Sequence, residues 1–131
     1  MNQLPAWMIV VILMVGGGVG TNARYWLGKL VVQIQGNEIR FPWGTFIINV
    51  TGSAILGLAA MAWKNHPDDR MRAWYLLLGT GFCGGYTTFS TFSYETLELI
   101  QGGKSWIAVV YLVASVAAGL LGAWTAVRLA G

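Results

Sequence analysis

Charged side chains are few in this sequence: eight Lys or Arg and five Asp or Glu in 131 residues, or 10% of the chain, against 56% hydrophobic. A soluble domain carries roughly 25% charged residues. The deficit excludes an ordinary water-exposed surface and, with a mean hydropathy of +0.59, places the chain among integral membrane proteins. Its net charge of +3 comes from scattered basic residues, which excludes a nucleic-acid surface. The single cysteine, Cys83, cannot form an internal disulfide, and in its apolar setting it reads as a small buried hydrophobe. The one histidine, His66, sits in a charged loop beside Pro67 and Asp68. No His, Cys and carboxylate cluster has ligand spacing, no nucleophile has an adjacent base, and there is no phosphate loop, so the sequence does not read as an enzyme. Low-complexity tracts, convincing internal repeats and a separate soluble domain are also lacking.

In place of charge the chain has apolar length. A hydrocarbon core of about 30 Å takes about 20 helical residues. Four spans of that kind run near 4–27, 43–63, 73–100 and 104–128, which predicts an all-α membrane protein with four transmembrane helices in one domain over 1–131. The N-terminal MNQLPAW has no Lys or Arg ahead of the apolar run, so the first span reads as retained and not as a cleaved signal. The connections are GKLVVQIQGNEIRFP, KNHPDDRMR and QGGKS. Trp7, Trp26, Trp43, Trp63, Trp74, Trp106 and Trp124 all fall near span ends, where amphipathic rings favour the headgroup level.

Orientation is undetermined by charge. With four spans, Lys64, Arg70, Arg72 and Arg128 fall on one side and Arg24, Lys29, Arg40 and Lys104 on the other. This balance removes the asymmetry that orients membrane proteins, so the chain is expected to insert both ways and to form an antiparallel homodimer. Gly16 and Gly20, then Gly52, Ala54 and Gly57, then Ala118, Gly119 and Gly122, are expected to let helices approach closely.

Two features exceed packing. Asn49 places an amide in hydrocarbon, so it has to face protein or a wet path. The stretch GTGFCGGYTTFSTFS, 79–93, carries Gly79, Gly81, Gly84 and Gly85 within seven residues, followed by dense hydroxyls. Each glycine costs a helix about 1 kcal/mol relative to alanine, so the third span is expected to break near 82–87. Freed carbonyls there are good ligands for a hard cation, as in the unwound helices of transporters. Beyond the break, Phe89 and Phe92 share a face, and Thr88, Thr91 and Glu95 line an adjacent stripe.

GGVGTNARY (17–25), PWGTFIINVTG (42–52) and GFCGGYTTFSTFS (81–93) resemble, in order, the three signature segments of the Fluc family of bacterial fluoride channels, and the resemblance covers essentially the whole chain. It implies a dual-topology antiparallel homodimer in the bacterial inner membrane. It also implies two parallel pores that passively export fluoride and confer resistance to it, with no further protein partner. Carbonyls of Gly84 and Thr87 from each subunit would hold a central structural sodium ion. Asn49, Phe89 and Phe92 would be pore residues, Thr91, Tyr111 and Ser115 a polar track, Glu95 a modulator beside it, and Arg24 would stand near a pore mouth. Tyr86 departs from the apolar residue usual at its position.

These residue types suit a small, strongly hydrated anion. The Asn49 amide and the Thr91 and Ser115 hydroxyls are donors that replace water, and the rings of Phe89 and Phe92 have positive edges. Each also has a plainer reading: the rings as packing groups, the hydroxyls bonded to their own helix, Tyr111 as a buried hydrogen-bonding aromatic, Arg24 as a snorkelling anchor. Three states are open to Glu95: protonated, paired with a cation such as Lys104, or near the interface. Two other functions compete. A small dual-topology multidrug transporter needs a carboxylate in its first helix, and none precedes Arg24; an assembly subunit without transport leaves Asn49 and the TTFSTF stripe without a role.

Overall fold

The computed structural model of the protein describes residues 3–36 and 41–131. It comprises α1 (Ala6–Gln35), α2 (Trp43–Asn65), α3 (Asp69–Tyr75), a π-helix (Leu76–Cys83), α4 (Gly84–Tyr86), α5 (Phe89–Gln101) and α6 (Ser105–Ala130), with no strand among the described residues. Helices α1, α2 and α6 are each long and apolar enough to cross a membrane, which makes this an all-α membrane protein. Its exterior agrees: Met14, Val113, Leu120, Leu121 and Leu129 are among many large apolar side chains turned outward.

Both α1 and α2 start directly after a proline, Pro5 and Pro42, whose carbonyls accept the first helical bonds from Met8 at 3.0 Å and Phe46 at 3.1 Å. The charged connection after α2 is partly helical, because the Asp68 side chain caps α3 by accepting from the Met71 amide at 2.7 Å. The first span, expected to end near 27, continues as helix to Gln35. Gly28 alone costs about 1 kcal/mol, too little to stop a long helix, and the Lys29 ammonium lies over the rings of Tyr25 and Trp26 at 5.2 and 5.7 Å. Trp26 therefore marks an apolar limit and not a helix end. The true stop is Gly36, whose φ of 77° suits glycine and whose amide reaches the Val32 carbonyl at 2.9 Å. Arg40, one of the eight charges balanced above, lies outside the described residues.

Helix α1 packs on the π-helix and α4, while α2 packs on α6, which also meets α5. The first contact is backbone on backbone. A Cβ at Gly16 would collide with the Leu77 carbonyl oxygen, and one at Gly20 with the Phe82 carbonyl oxygen. On the other seam, a Cβ at Gly57 would lie 2.9 Å from the Ala123 carbonyl oxygen of α6. Small residues thus set the interaxial distance, as expected where lipid supplies no hydrophobic drive between helices. A compact core of Leu99, Ala108 and Tyr111, flanked by Phe41, Phe46, Phe92 and Ile107, ties α5 to α6.

Gly16→Ala is expected to destabilise the folded protein by about 1–3 kcal/mol through overpacking. Gly18→Ala, where an added Cβ meets nothing within 4 Å, is expected to stabilise by up to about 1 kcal/mol. Thermal unfolding of the two variants in the same detergent checks the difference, and equal midpoints would show that α1 does not sit on the π-helix as described.

Candidate functional site

The expected break in the third span falls at Thr87 and Thr88, both in extended conformation (φ −82°, ψ 157° and φ −150°, ψ 114°). Extended backbone within an otherwise helical segment leaves peptide groups that need partners from outside the helix. Those partners are specific. The Asn49 amide on α2 meets one residue twice: its Nδ2 donates to the Thr88 carbonyl at 3.2 Å, and its Oδ1 accepts from the Thr88 amide at 2.8 Å. Arg24 on α1 donates from Nε to the Gly85 carbonyl at 3.0 Å. The Thr88 hydroxyl caps α5, accepting from the Thr91 amide at 3.2 Å, and the Thr87 hydroxyl turns back onto the Cys83 carbonyl at 2.7 Å. Buried Tyr86 stacks on Phe82 with centroids 5.1 Å apart, and its hydroxyl lies 2.9 Å from Thr51 Oγ1.

Asn49 is therefore anchored to the break, with one amide N–H remaining beyond the bond to Thr88. Arg24, read from sequence as a residue near a pore mouth or as a snorkelling anchor, has its Nε on the same short segment.

Beyond the break, α5 presents Phe89 at 80% exposure, while Phe92 is partly covered. The two ring centroids are 6.1 Å apart, and Phe92 meets Tyr111 edge-on at 4.9 Å. Tyr111 has no exposed surface; it sits behind the site and donates its hydroxyl to Glu95 Oε2 at 2.7 Å. The other carboxylate oxygen, Oε1, accepts from Thr45 Oγ1 at 2.8 Å. Both oxygens of Glu95 are thus held by hydroxyls.

Two cavities flank the break. The first, about 540 Å³, is lined by Asn49, Ser53, Gly84, Thr87, Thr88, Phe89, Phe92 and Ser115 among others. Ser115 Oγ is buried there without a hydrogen-bond partner. The second, about 680 Å³, is lined by Arg24, Thr45, Thr88, Thr91, Glu95 and Lys104 among others. The residues singled out from sequence divide between them: Asn49, Phe89, Phe92, Ser115, Gly84 and Thr87 in the first, Arg24, Thr91 and Glu95 in the second. Tyr111 lines neither, and Thr88 lines both. Thr45 and Thr51 were not singled out at the sequence level, yet Thr45 stands four residues before Asn49 on one face of α2, a spacing that carries the signal. Among the described residues no group of three His, Cys, Asp or Glu side chains is placed to hold a metal.

Comparison with known proteins agrees in extent and kind. The family described as "CrcB-like protein, Camphor Resistance (CrcB)" matches residues 11–127. The chain is 48% identical over 109 residues to the "Fluoride-specific ion channel FluC" of Acidobacterium capsulatum, covering 83% of this chain and 85% of that one. It is 46% identical over 122 residues to the protein of the same description from Oceanobacillus iheyensis, covering 92% and 90%. It is also 46% identical over 124 residues to "Fluoride-specific ion channel FluC 1" of Streptomyces avermitilis, covering 92% of each.

Tyr111→Phe keeps the ring on Phe92 and removes one donor from Glu95. It is expected to lower stability by about 1–3 kcal/mol, the cost of leaving a buried polar group short of a bond. Denaturation of Tyr111→Phe beside the unaltered protein checks this, and an unchanged midpoint would mean that the Tyr111 hydroxyl does not hold Glu95.

Proposed function

Because the chain belongs to the CrcB-like family, we propose that it is a passive fluoride-selective channel, working as an antiparallel homodimer with two pores in a bacterial inner membrane. The observation that carries the reading is the unpartnered Ser115 hydroxyl in a cavity that Asn49, Phe89 and Phe92 also line. A buried donor without a partner costs free energy. A small anion with a high demand for donors offsets that cost, and the relatives, described as fluoride-specific channels, point to the anion.

The pore residues divide the work. Asn49 retains an N–H for the ion while holding the break, Ser115 and Thr91 replace hydration water, and the Phe89 and Phe92 edges add weak contacts that let the ion leave again. Glu95, fixed by Thr45 and Tyr111, borders the second cavity with Arg24, which draws anions toward that mouth. Export follows from the gradient: HF that crosses the membrane dissociates at the higher internal pH, and the trapped fluoride runs out through the pore.

Dimerisation is supported by an unfinished surface. Phe89 is 80% exposed in one chain, and an added Cβ at Gly84 meets nothing within 4 Å of the same chain. The balanced charges of the connections favour opposite orientations of the two copies. The carbonyl oxygens of Gly84 and Thr87 fit a sodium ion between the copies: they are neutral, hard donors, Gly84 is exposed, and Thr87 is extended, with its carbonyl outside the helical ladder. Sodium there would supply positive potential and a cross-link between subunits. A small multidrug transporter fits less well, because α1 carries no carboxylate anywhere along Ala6–Gln35.

Liposomes containing the purified protein are expected to release fluoride rapidly under a voltage while retaining chloride, as read by parallel ion-selective electrodes. Phe92→Ile, which removes a ring edge worth about 1.4 kcal/mol, is expected to slow fluoride release about tenfold. No fluoride release from verified folded dimers would sink the channel reading.

A further inference from the structure

The end of α4 is built so that some carbonyls lose their helical donors and others find new ones. In an unbroken helix the Thr88 amide bonds the Gly84 carbonyl, four residues back, and the Thr91 amide bonds the Thr87 carbonyl. Neither bond forms. The Thr88 amide is taken by Asn49 Oδ1 at 2.8 Å, and the Thr91 amide by the Thr88 hydroxyl at 3.2 Å. Between these two positions, the Gly85 carbonyl is covered by Arg24 Nε at 3.0 Å. The Cys83 carbonyl receives both the amide and the hydroxyl of Thr87, at 2.9 and 2.7 Å. Cys83 and Gly85 are thus covered, whereas Gly84 and Thr87 are stripped of their helical donors by side chains that take those amides instead.

We infer that Asn49 and the Thr88 hydroxyl are positioning residues for a monovalent cation, releasing the Gly84 and Thr87 carbonyls by diverting the two amides that would otherwise occupy them. The inference rests on the proposed reading of those carbonyls as cation ligands and adds the residues that make them available. Asn49 acts as a surrogate peptide. By bonding both the amide and the carbonyl of Thr88 it fixes the extended backbone that turns the chain out of the helix. Thr88 then supplies the cap that starts α5. Cation binding and the first cavity therefore share one residue, Asn49, and the cation site depends on a hydroxyl that is not itself a ligand. Arg24 narrows the site, since its guanidinium occupies the Gly85 carbonyl, one of the two between the released ones, and keeps that oxygen out of the ligand set.

The test is the Na+ dependence of stability of the purified dimer in detergent, with N-methylglucamine replacing Na+ at constant ionic strength. The unaltered protein is expected to show an unfolding midpoint that rises with Na+ and saturates. Thr88→Val, which frees the Thr91 amide to compete with Na+ for the Thr87 carbonyl, is expected to raise the half-saturating Na+ concentration about tenfold, the equivalent of one hydrogen bond. Thr88→Ser, which keeps the hydroxyl, is expected to match the unaltered protein, and Asn49→Leu to shift in the same direction as Thr88→Val. A Thr88→Val variant that lowers the Na+-free midpoint without moving half-saturation would reduce Thr88 to a helix cap and overturn the inference. An unaltered protein that conducts fluoride in liposomes but ignores Na+ would overturn it too, leaving the channel reading intact. Sodium dependence with the expected Thr88→Val shift but without fluoride conduction would do the opposite.

Discussion

Peptide groups cannot be left to lipid. Each unsatisfied amide or carbonyl in hydrocarbon costs several kcal/mol, and a chain that breaks a helix inside an apolar protein creates a cluster of them at once. The break at Thr87 and Thr88 persists because three separate elements close it: α2 through Asn49, α1 through Arg24, and α5 through its own cap at Thr88. The bonds from Asn49 and Arg24 are not available to an isolated third segment. The irregular backbone is therefore a property of the assembled bundle, and the rest of the architecture serves to bring those side chains within reach.

That requirement accounts for the glycines on α1. Arg24 can reach the Gly85 carbonyl only if α1 lies against the π-helix at backbone contact, and the Gly16 and Gly20 positions allow this approach. Gly52 plays the matching part on α2, where a Cβ would collide with the Thr87 side chain. Asn49 and Gly52 are three residues apart, so the residue that holds the break and the one that makes room for it share a helix face. Tyr86 adds a second tie to α2 through Thr51, on the far side of the same turn.

Much of this is legible from residue types. Apolar length fixes the all-helical membrane class, glycine density places the break within a residue or two of its position, and Asn49 stands out as an amide with no reason to be in lipid. The partners are less legible, because they depend on which helices touch. Nothing in the spacing of Arg24 and Gly85, 61 residues apart, links them. Thr45 looks like one more membrane threonine free to bond its own helix, and its bond to Glu95 follows only from α2 and α5 both packing on α6. The length of α1 is hidden for another reason. Lys29 and Gln35 read as connection because they are polar, whereas hydrogen bonding, capping and the Lys29 contacts with Tyr25 and Trp26 carry the helix on to Gly36.

The division of residues between two cavities bears on how one chain can be both rigid and permissive to an ion. Glu95, Thr45 and Tyr111 form a closed set in which each carboxylate oxygen has its hydroxyl, and Tyr111 in turn supports the Phe92 ring edge-on. Phe92 is thus oriented from behind by a group whose own position is fixed by a carboxylate. Phe89, by contrast, has no such backing, stands 80% exposed and makes its ring contact with Phe92 at a centroid distance of 6.1 Å. The two rings share a helix face but not a degree of restraint. On the proposed reading, the ion meets one ring held by its own subunit and one whose environment the second copy must complete. The restrained ring can select by fixed geometry; the other can yield as the ion moves, and weak contacts of this kind suit throughput better than a single tight site.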